Sequence, residues 1–546
     1  MTGDRERLDA LATRAEADRL SLLERTELTA LRVTALTQEG LFDEAIARGR
    51  AGLAMLGVSL PAHIEDSALR AEIERIDAMV RARGRDAILD APRTDDPLVR
   101  AKCALLSETA TPLYFIDPDL STLADASVLP ITLERGLTSD TATALIAVAR
   151  YLGAVQGDHA RSTEIASLAL EVARRSGDRG REGEVYANVG IFIQPWHAPL
   201  RSSVPLLRRA FELGVVSGGM TFAAYARTSE AMARYASGEP LPRVESEAGA
   251  AYELAERMGN PIAQVAALLL RQAARCLRGT TSRAFTLSDV DLDEATLAAL
   301  ADRSPLTAHY RHRLLLELSV IFGRFEEARQ HADACAQYVR FVRGTFMHAS
   351  VRFYGAIARA AAPDAADFIE PLRDDHATLE AWARACPENF ACMERAIAAE
   401  LARLEGRTGV AFDLYDQATA LAAEQRTTML EAVIGERAAA YEDACGRERA
   451  ARWSPAAPLR AMRTRAGGPR PRCARSRPPS RLPRPSRRAR RTRERSPRSS
   501  SRWCSARPTR SSRRSSGSRS SIVCSSRRAT SPARRAPRSS WWRTES

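Results

Sequence analysis

Lysine is almost absent from the chain. Lys102 is the single lysine among 546 residues, and no glycine-rich loop lies beside it. A P-loop requires Gly-x-x-x-x-Gly-Lys-Ser/Thr, and a protein kinase requires a strand lysine, because both must neutralise nucleotide phosphates. The sequence therefore argues against nucleotide-dependent phosphoryl transfer by this chain. No other catalytic motif occurs, so we expect a non-enzyme with no cofactor and no catalytic residue.

Long apolar runs are missing as well. No run reaches the ~18 uninterrupted apolar residues of a membrane span, and the first residues, Met-Thr-Gly-Asp-Arg-Glu-Arg, precede no apolar segment of the signal-peptide kind. We therefore expect a cytoplasmic protein without a membrane partner.

Cysteines in paired spacing are also lacking. Those of the first 446 residues are scattered through helical segments, which is typical of reduced, partly buried thiols rather than of disulfides or zinc ligands. They are Cys103, Cys276, Cys335, Cys386, Cys392 and Cys445.

The composition changes abruptly after Gly446. Residues 447–546 contain 31 Arg and 3 Glu but no Asp, Lys, Asn, Gln, His, Phe or Tyr, and carry a net charge of +28. The preceding 446 residues have 50 basic and 64 acidic groups, a net charge of −14. The overall +14 describes neither region, so it does not imply a nucleic-acid partner for the first one.

Two interpretations of the basic tail, residues 451–546, remain open. Arg-rich stretches such as 487–493 can bind nucleic-acid phosphates while disordered. Alternatively, GC-rich DNA read out of frame yields Arg, Ser, Pro, Ala, Trp and Cys, which would account for Trp503, Trp541 and Trp542. We favour the second interpretation. Both predict a disordered tail, because its few apolar residues cannot offset the entropy of ordering.

The region before the tail is a series of amphipathic segments with helical spacing, separated by short Gly, Pro or Asp breaks. The pattern predicts an all-α fold, an α-solenoid of antiparallel hairpins over residues 1–450, with a subdivision near 278–305. The predicted helices are 27–38, 41–56, 65–83, 99–109, 139–152, 161–175, 181–193, 204–213, 221–235, 243–258, 262–277, 306–322, 325–342, 388–404, 409–422 and 427–444.

Four hairpins share a sub-pattern that resembles the second helix of a tetratricopeptide repeat (TPR). Each begins with a glycine turn, at Gly40, Gly157, Gly323 or Gly406, and continues with small residues that let helices approach closely. The complete 34-residue consensus is never met. We therefore predict a TPR-like fold rather than a classical TPR array.

Two stretches, 278–293 and 361–375, are predicted to interrupt the helices. The first contains Asp289, Asp291 and Asp293, which resemble the opening of a calcium loop. Glu294 stands where that loop requires glycine, and Leu300 where it requires a bidentate glutamate. We therefore predict a plain helix N-terminus here, and no metal site.

Six residues are candidates for contacts in a concave helical groove. His309 and His312 have i, i+3 spacing without the further ligands of a metal site, and Trp196 with His197 follows a helix-ending proline. For Trp196, packing in the core is the favoured interpretation, and a groove contact is the alternative. The remaining candidates are Tyr225 and Tyr235.

Several stretches also look like a known family. They are Ala51-Gly-Leu-Ala-Met-Leu-Gly-Val-Ser-Leu-Pro61, Asp96-Pro-Leu-Val-Arg-Ala-Lys-Cys-Ala-Leu-Leu106, Gly157-Asp158, Pro195-Trp-His-Ala-Pro-Leu200, Phe222-Ala-Ala-Tyr225 and Gly238-Glu-Pro-Leu241. Over roughly residues 31–450 the chain resembles the TPR-like middle region of large bacterial signalling proteins. Those proteins join a serine/threonine kinase, an AAA ATPase of the STAND class, this helical region, a GAF module and a sensor histidine kinase. Because their catalytic residues lie outside this region, the resemblance implies no catalytic residue here.

The sequence thus favours a non-catalytic interaction or regulatory scaffold, a fragment of a multidomain signal-transduction kinase, which binds a protein partner or a small effector. One alternative is a nucleic-acid-associated protein that uses its basic tail. Another is the solenoid sensor of a STAND-type transcription regulator, which would require a helix-turn-helix that we do not find.

Overall fold

The computed structural model describes residues 20–282, 285–290 and 292–446. The fold of these residues is all-α, as predicted, and the only extended pairings within them are isolated bridges, Arg93 with Leu137 and Asp289 with Leu292. The helices are α1 (Leu22–Gln38), α2 (Phe42–Met55), α3 (Asp66–Arg83), α4 (Arg85–Leu89), α5 (Pro97–Ile116), α6 (Pro118–Ala126), α7 (Val128–Arg135), α8 (Thr141–Ala154), α9 (His159–Ser176), α10 (Arg179–Asn188), α11 (Ser203–Ser217), α12 (Met220–Ala236), α13 (Leu241–Arg257), α14 (Pro261–Arg278), α15 (Glu294–Ala301), α16 (Pro305–Ile321), α17 (Phe325–Ala336), α18 (Phe346–Ala361), α19 (Ile369–Ala385), α20 (Pro387–Leu404), α21 (Thr408–Glu424) and α22 (Thr428–Ala444).

The glycines of the TPR-like pattern turn the chain between helices. Gly40, Gly157, Gly323 and Gly406 have φ between 72° and 78°, a left-handed conformation that side chains with a Cβ rarely adopt. Helices that follow one another, such as α8 and α9, pack side by side. The predicted stack of TPR-like hairpins is therefore confirmed.

Two large core clusters follow each other along the chain. The first contains buried residues from Val33 to Ile193, and the second contains buried residues from Trp196 to Ile434. A smaller cluster joins the two, since it contains Phe42 and Phe115 together with residues after position 260. The helices of the two halves therefore contact each other across the stack.

Some elements differ from the predicted pattern. Helices α6 and α7 fill the interval before residue 139, where periodicity marks no helix, because Asp117 caps a new helix by accepting a hydrogen bond from the Asp119 amide at 3.2 Å. The break predicted at 361–375 is shorter, since α19 begins at Ile369. Helix α10 ends at Asn188 and continues as a π-helical turn, Val189–Ile193.

The loop predicted before residue 294 is confirmed. No helix forms among its described residues from 279 to 293, and Asp293 is the N-cap of α15, accepting from the Thr296 amide at 2.7 Å. Asp289 pairs with Arg275 at 2.5 Å. Asp291 lies outside the described residues.

The predicted domain limits, 1–450 and 451–546 with a subdivision near 278–305, stay predictions. All described residues belong to one unit that contains Met1–Cys473, and the second unit, Ala474–Trp541, lies outside them. The predicted disordered tail, 451–546, lies outside them too. Within 278–305, Leu287, Leu297 and Ala301 are buried in the second core cluster. None of the described helices is long and apolar enough to cross a membrane.

Candidate functional site

A cavity of about 130 Å³ lies where the two halves meet. Its wall is built mainly by α5, α8, α10, α12, α14 and α16, which we call the inner helices, with contributions from α6, the π-helical turn and the start of α18. Because these helices belong to several hairpins, the cavity depends on how those hairpins stack. A cavity of similar size holds a molecule as large as benzene.

Much of the cavity wall is aromatic. Phe115 and Tyr225 have ring centroids 5.9 Å apart, and Phe222 meets Tyr225 edge to face at 6.0 Å. Tyr114 closes one side by donating its hydroxyl to the Phe341 carbonyl at 2.6 Å. Burial raises the pKa of Tyr114 to about 12, so its hydroxyl remains a donor at neutral pH. The aromatic lining residues are Tyr114, Phe115, Phe192, Phe222, Tyr225 and Tyr310.

Arg150 brings a positive charge to this aromatic wall. It is the only charged residue of α8, and its guanidinium carbon lies 4.6 Å from the Phe192 ring centroid and 5.2 Å from that of Tyr114. It donates a long hydrogen bond to Asn188 Oδ1, 3.4 Å. Among the described residues, no carboxylate oxygen lies within the 4.0 Å of an ion pair with Arg150.

Asp125, near the end of α6, is the second unusual polar group of the wall. Its Oδ1 is buried without a hydrogen-bond partner among the described residues. Burial raises the pKa of Asp125 well above its usual range, Glu184 raises it further, and Arg150 only partly opposes this. The surroundings of Asp125 therefore favour its neutral form more than water does.

Glu184, by contrast, is paired. Arg181 donates to Glu184 Oε2 at 2.8 Å and to Glu108 Oε1 at 2.9 Å, and lies 2.8 Å from Asp140 Oδ1. Burial raises the pKa of Glu184, and Arg181 opposes that shift. Arg181 thus holds three carboxyl groups together at one end of the cavity, and its single positive charge is shared among them.

An outer cleft of about 250 Å³ adjoins this end. Thr111, Glu184 and Phe222 line both the cleft and the cavity. Movement of these side chains would connect the two spaces, so the cleft is the candidate entrance for a ligand.

The predicted groove contacts occupy different surroundings. Tyr225 lies on the cavity wall. Trp196 is 4% exposed in the core, where it stacks on His159 and donates Nε1–H to the Gly344 carbonyl at 2.5 Å. Tyr235 is also buried in the second core cluster. The structure therefore brings one of these three aromatic residues to the cavity.

The three histidines among the predicted contacts also lie in different environments. His309 is 1% exposed, and burial lowers its pKa to about 3. His312 is half-buried with its Nδ1 3.2 Å from Nδ1 of His331, while His197 is exposed. Among the described residues, no group of three or more His, Cys, Asp or Glu could hold a metal ion.

Arg150 and Asp125 are the functional candidates that sequence reasoning missed. A signal for Arg150 is present, since a lone charge in the otherwise apolar and small stretch Thr-Ala-Thr-Ala-Leu-Ile-Ala-Val-Ala-Arg-Tyr-Leu-Gly-Ala breaks the pattern of a buried helix. Asp125 gives a weaker signal, because its short helix also contains Asp119.

No protein-family model and no curated protein matches the chain. Among solved structures, it is similar to a signal transduction ATPase with numerous domains (STAND) protein with a tetratricopeptide repeat sensor from Pyrococcus horikoshii, at 12% sequence identity and a TM-score of 0.33. The match covers 69% of this chain and 55% of that chain, so this chain spans about half the length of that structure.

Proposed function

We propose that this chain is a non-catalytic regulatory scaffold of a multidomain cytoplasmic signal-transduction protein, and that its cavity binds a small effector. The observation that carries the proposal is the cavity itself, whose wall is formed by inner helices of both halves. A ligand there would contact α5 and α8 together with α14 and α16. Its binding energy would therefore favour the arrangement in which these helices meet.

Direct contacts already join the two halves beside the cavity. Tyr114 donates to the Phe341 carbonyl, and Arg340 donates to the Ile116 carbonyl at 2.9 Å. A ligand that prefers the joined arrangement shifts the equilibrium by its difference in affinity for the joined and separated forms. In a complete signalling protein, this shift would reach the kinase, ATPase and histidine kinase modules that the family resemblance implies.

A small effector fits the cavity better than a protein partner does. Its volume of about 130 Å³ suits one small organic molecule, and its wall combines apolar rings with a few polar groups, as ligand sites usually do. Protein partners of the scaffold would bind elsewhere on the helices.

The test is a thermal-unfolding screen of the full chain against a fragment library of neutral, anionic and cationic aromatic compounds. We expect at least one compound to raise the Tm in proportion to the logarithm of its concentration, because ligands stabilise the state that binds them. Ser229 lines the cavity, and Ser229→Leu should remove the shift by filling the space. Ser246 on α13 is exposed, so Ser246→Leu is the matched control and should retain the shift.

Three results would contradict the proposal. If no fragment raised the Tm, or if Ser229→Leu and Ser246→Leu responded alike, the cavity would not be an effector site. ATP hydrolysis by the purified chain would contradict its non-catalytic character.

A further inference from the structure

Arg150 gives the cavity a permanent positive charge, and no carboxylate of the described residues lies within ion-pair distance of it. A guanidinium stays protonated throughout the physiological pH range and has five N–H donors. For Arg150, the ring faces of Tyr114 and Phe192 and the 3.4 Å hydrogen bond to Asn188 supply partial compensation. Several donors therefore remain available to a molecule in the cavity.

The geometry points to a small apolar carboxylate as the ligand class, with Arg150 as the anchor of its carboxyl group and the aromatic wall around its apolar body. This inference rests on the proposed function, because it names the chemistry of the effector. A guanidinium offers two parallel N–H groups that match the two oxygens of a carboxylate. The rings of Tyr114 and Phe192, which meet edge to face at 6.1 Å, both contact the guanidinium and hold this fork in place before a ligand arrives.

The acidic groups near the cavity do not make it a cation site. Glu184 already accepts a hydrogen bond from Arg181, which also approaches Glu108 and Asp140. Burial favours the protonated form of Asp125, whose O–H can donate to a ligand oxygen. The Arg150 guanidinium lies over the rings of Tyr114 and Phe192, and its positive charge would repel an organic cation bound beside them. Arg150 is thus a permanent charge on the cavity wall with no carboxylate of the described residues within ion-pair distance.

The size and polarity of the cavity restrict the class of ligand further. Apart from Arg150, Asp125 and Glu184, the residues that line the cavity carry no charged side chain. A ligand with one carboxyl group and a body close to a benzene ring would occupy the volume and place its charge on Arg150. Phosphorylated metabolites and dicarboxylates would bring a second charge into an apolar space.

The experiment compares three probes of nearly identical shape that differ in charge: benzoate, benzamide and benzamidine. Their dissociation constants for the full chain are measured by calorimetry at neutral pH. We expect benzoate to bind most tightly and benzamidine least tightly. In Arg150→Met we expect benzoate to lose about tenfold or more in affinity, the size of a lost charge-assisted hydrogen bond, while benzamide changes by less than about twofold.

Controls separate binding from folding. Arg384 is exposed on α19 and pairs with Glu380 at 3.6 Å, so Arg384→Met is a matched control that should bind benzoate normally. The ranking of the three probes by the unmutated chain requires no variant, and therefore tests the inference even if Arg150→Met is poorly folded.

Each remaining outcome decides between the two proposals. Tighter binding of benzamide or benzamidine than of benzoate, or an unchanged benzoate affinity in Arg150→Met, would overturn the inference and leave the effector cavity standing. If none of the three probes bound while other fragments still required the space at Ser229, the ligand class would again be wrong. If no fragment bound at all, the proposed function would fail with it.

Discussion

Arg313 in α16 and Arg150 in α8 lie in opposite electrostatic surroundings. Arg313 is 3% exposed and donates to Glu317, one turn along the same helix, at 2.5 Å. Glu317 is 2% exposed and also accepts a hydrogen bond from Ser350. Arg150 has two aromatic faces and one long hydrogen bond in place of such a partner.

The difference distinguishes an arginine that is neutralised within the fold from an arginine whose guanidinium can bind a ligand. Removing a charge from water costs several kcal/mol, which only a well-placed partner recovers. The protein supplies that partner to Arg313, to Arg234 through Glu230, and to Arg161 through Asp77. Arg150, on the cavity wall, has no such partner among the described residues, and we place the candidate site there for that reason.

The largest expected effect is the difference in the free energy of unfolding between Arg313→Met and Arg150→Met. Arg313→Met leaves the Glu317 carboxylate buried without its cation, so we expect the free energy of unfolding to fall by about 3–5 kcal/mol. Arg150→Met removes a charge that has no carboxylate, so we expect no loss or a small gain. Urea unfolding of both variants without ligand measures the difference, and equal losses would show that Arg150 is as structural as Arg313.

A somewhat smaller effect, with a defined pH dependence, is expected at Glu400. Burial raises the pKa of Glu400, but Arg437 at 2.6 Å and Arg403 at 2.8 Å outweigh burial and lower it to about 2, from 4.5. Because the folded-state pKa is depressed, the stabilisation is complete above pH 4.5 and is lost as the pH falls towards 2. The shift corresponds to roughly 3 kcal/mol at pH 7.

Glu400→Gln tests this expectation. At pH 7 the variant should unfold at lower urea concentration than the wild type, and the gap should narrow as the pH falls from about 5 to 3, where the unfolded wild type begins to take up protons. A gap that stayed constant with pH would mean that the Glu400 carboxylate is not the source of the stability.

The smallest expected effect is the pH dependence of stability that Asp125 contributes, and it has the opposite sign to that of Glu400. The folded-state pKa of Asp125 is raised, so the folded chain keeps a proton that the unfolded chain releases above pH ~4. Stability contributed by Asp125 is therefore lost as the pH rises through that window towards the folded-state pKa. We expect Asp125→Asn, which cannot ionise, to match the wild type near pH 4 and to become relatively more stable towards pH 8 in urea titrations. A wild type that gained on the variant with rising pH would show that Asp125 is ionised and paired.

Local pattern predicts most of the helices but not the cavity. The apolar spacing of α2, α9 and α14 is repeated over several turns, so their extent follows from the sequence to within a few residues. Helices α6 and α7 have 9 and 8 residues, too few turns for a period to emerge.

The site escapes prediction for a different reason. Its wall joins Tyr114 and Arg150 to residues near position 310, and nothing in a local pattern shows which distant helices meet. The groove candidates Trp196 and His309 illustrate the same limit, since their residue types fit a binding surface while the packing of distant helices buries both. Tyr225 is a groove candidate that the packing brings to the wall.

The hydrogen bond from Tyr114 to Phe341 closes a loop of 227 residues, whereas most hairpin contacts join near neighbours in the chain. Closing so long a loop costs more chain entropy than forming a hairpin, so the hairpins should form first during folding and the seam between the halves last. For the same reason, the contacts between the two halves should break in the native state before the hairpins unfold. Amide hydrogen exchange around Phe341 would then proceed through partial opening, and a bound molecule would slow it selectively, leaving exchange within a hairpin such as α20 and α21 unchanged.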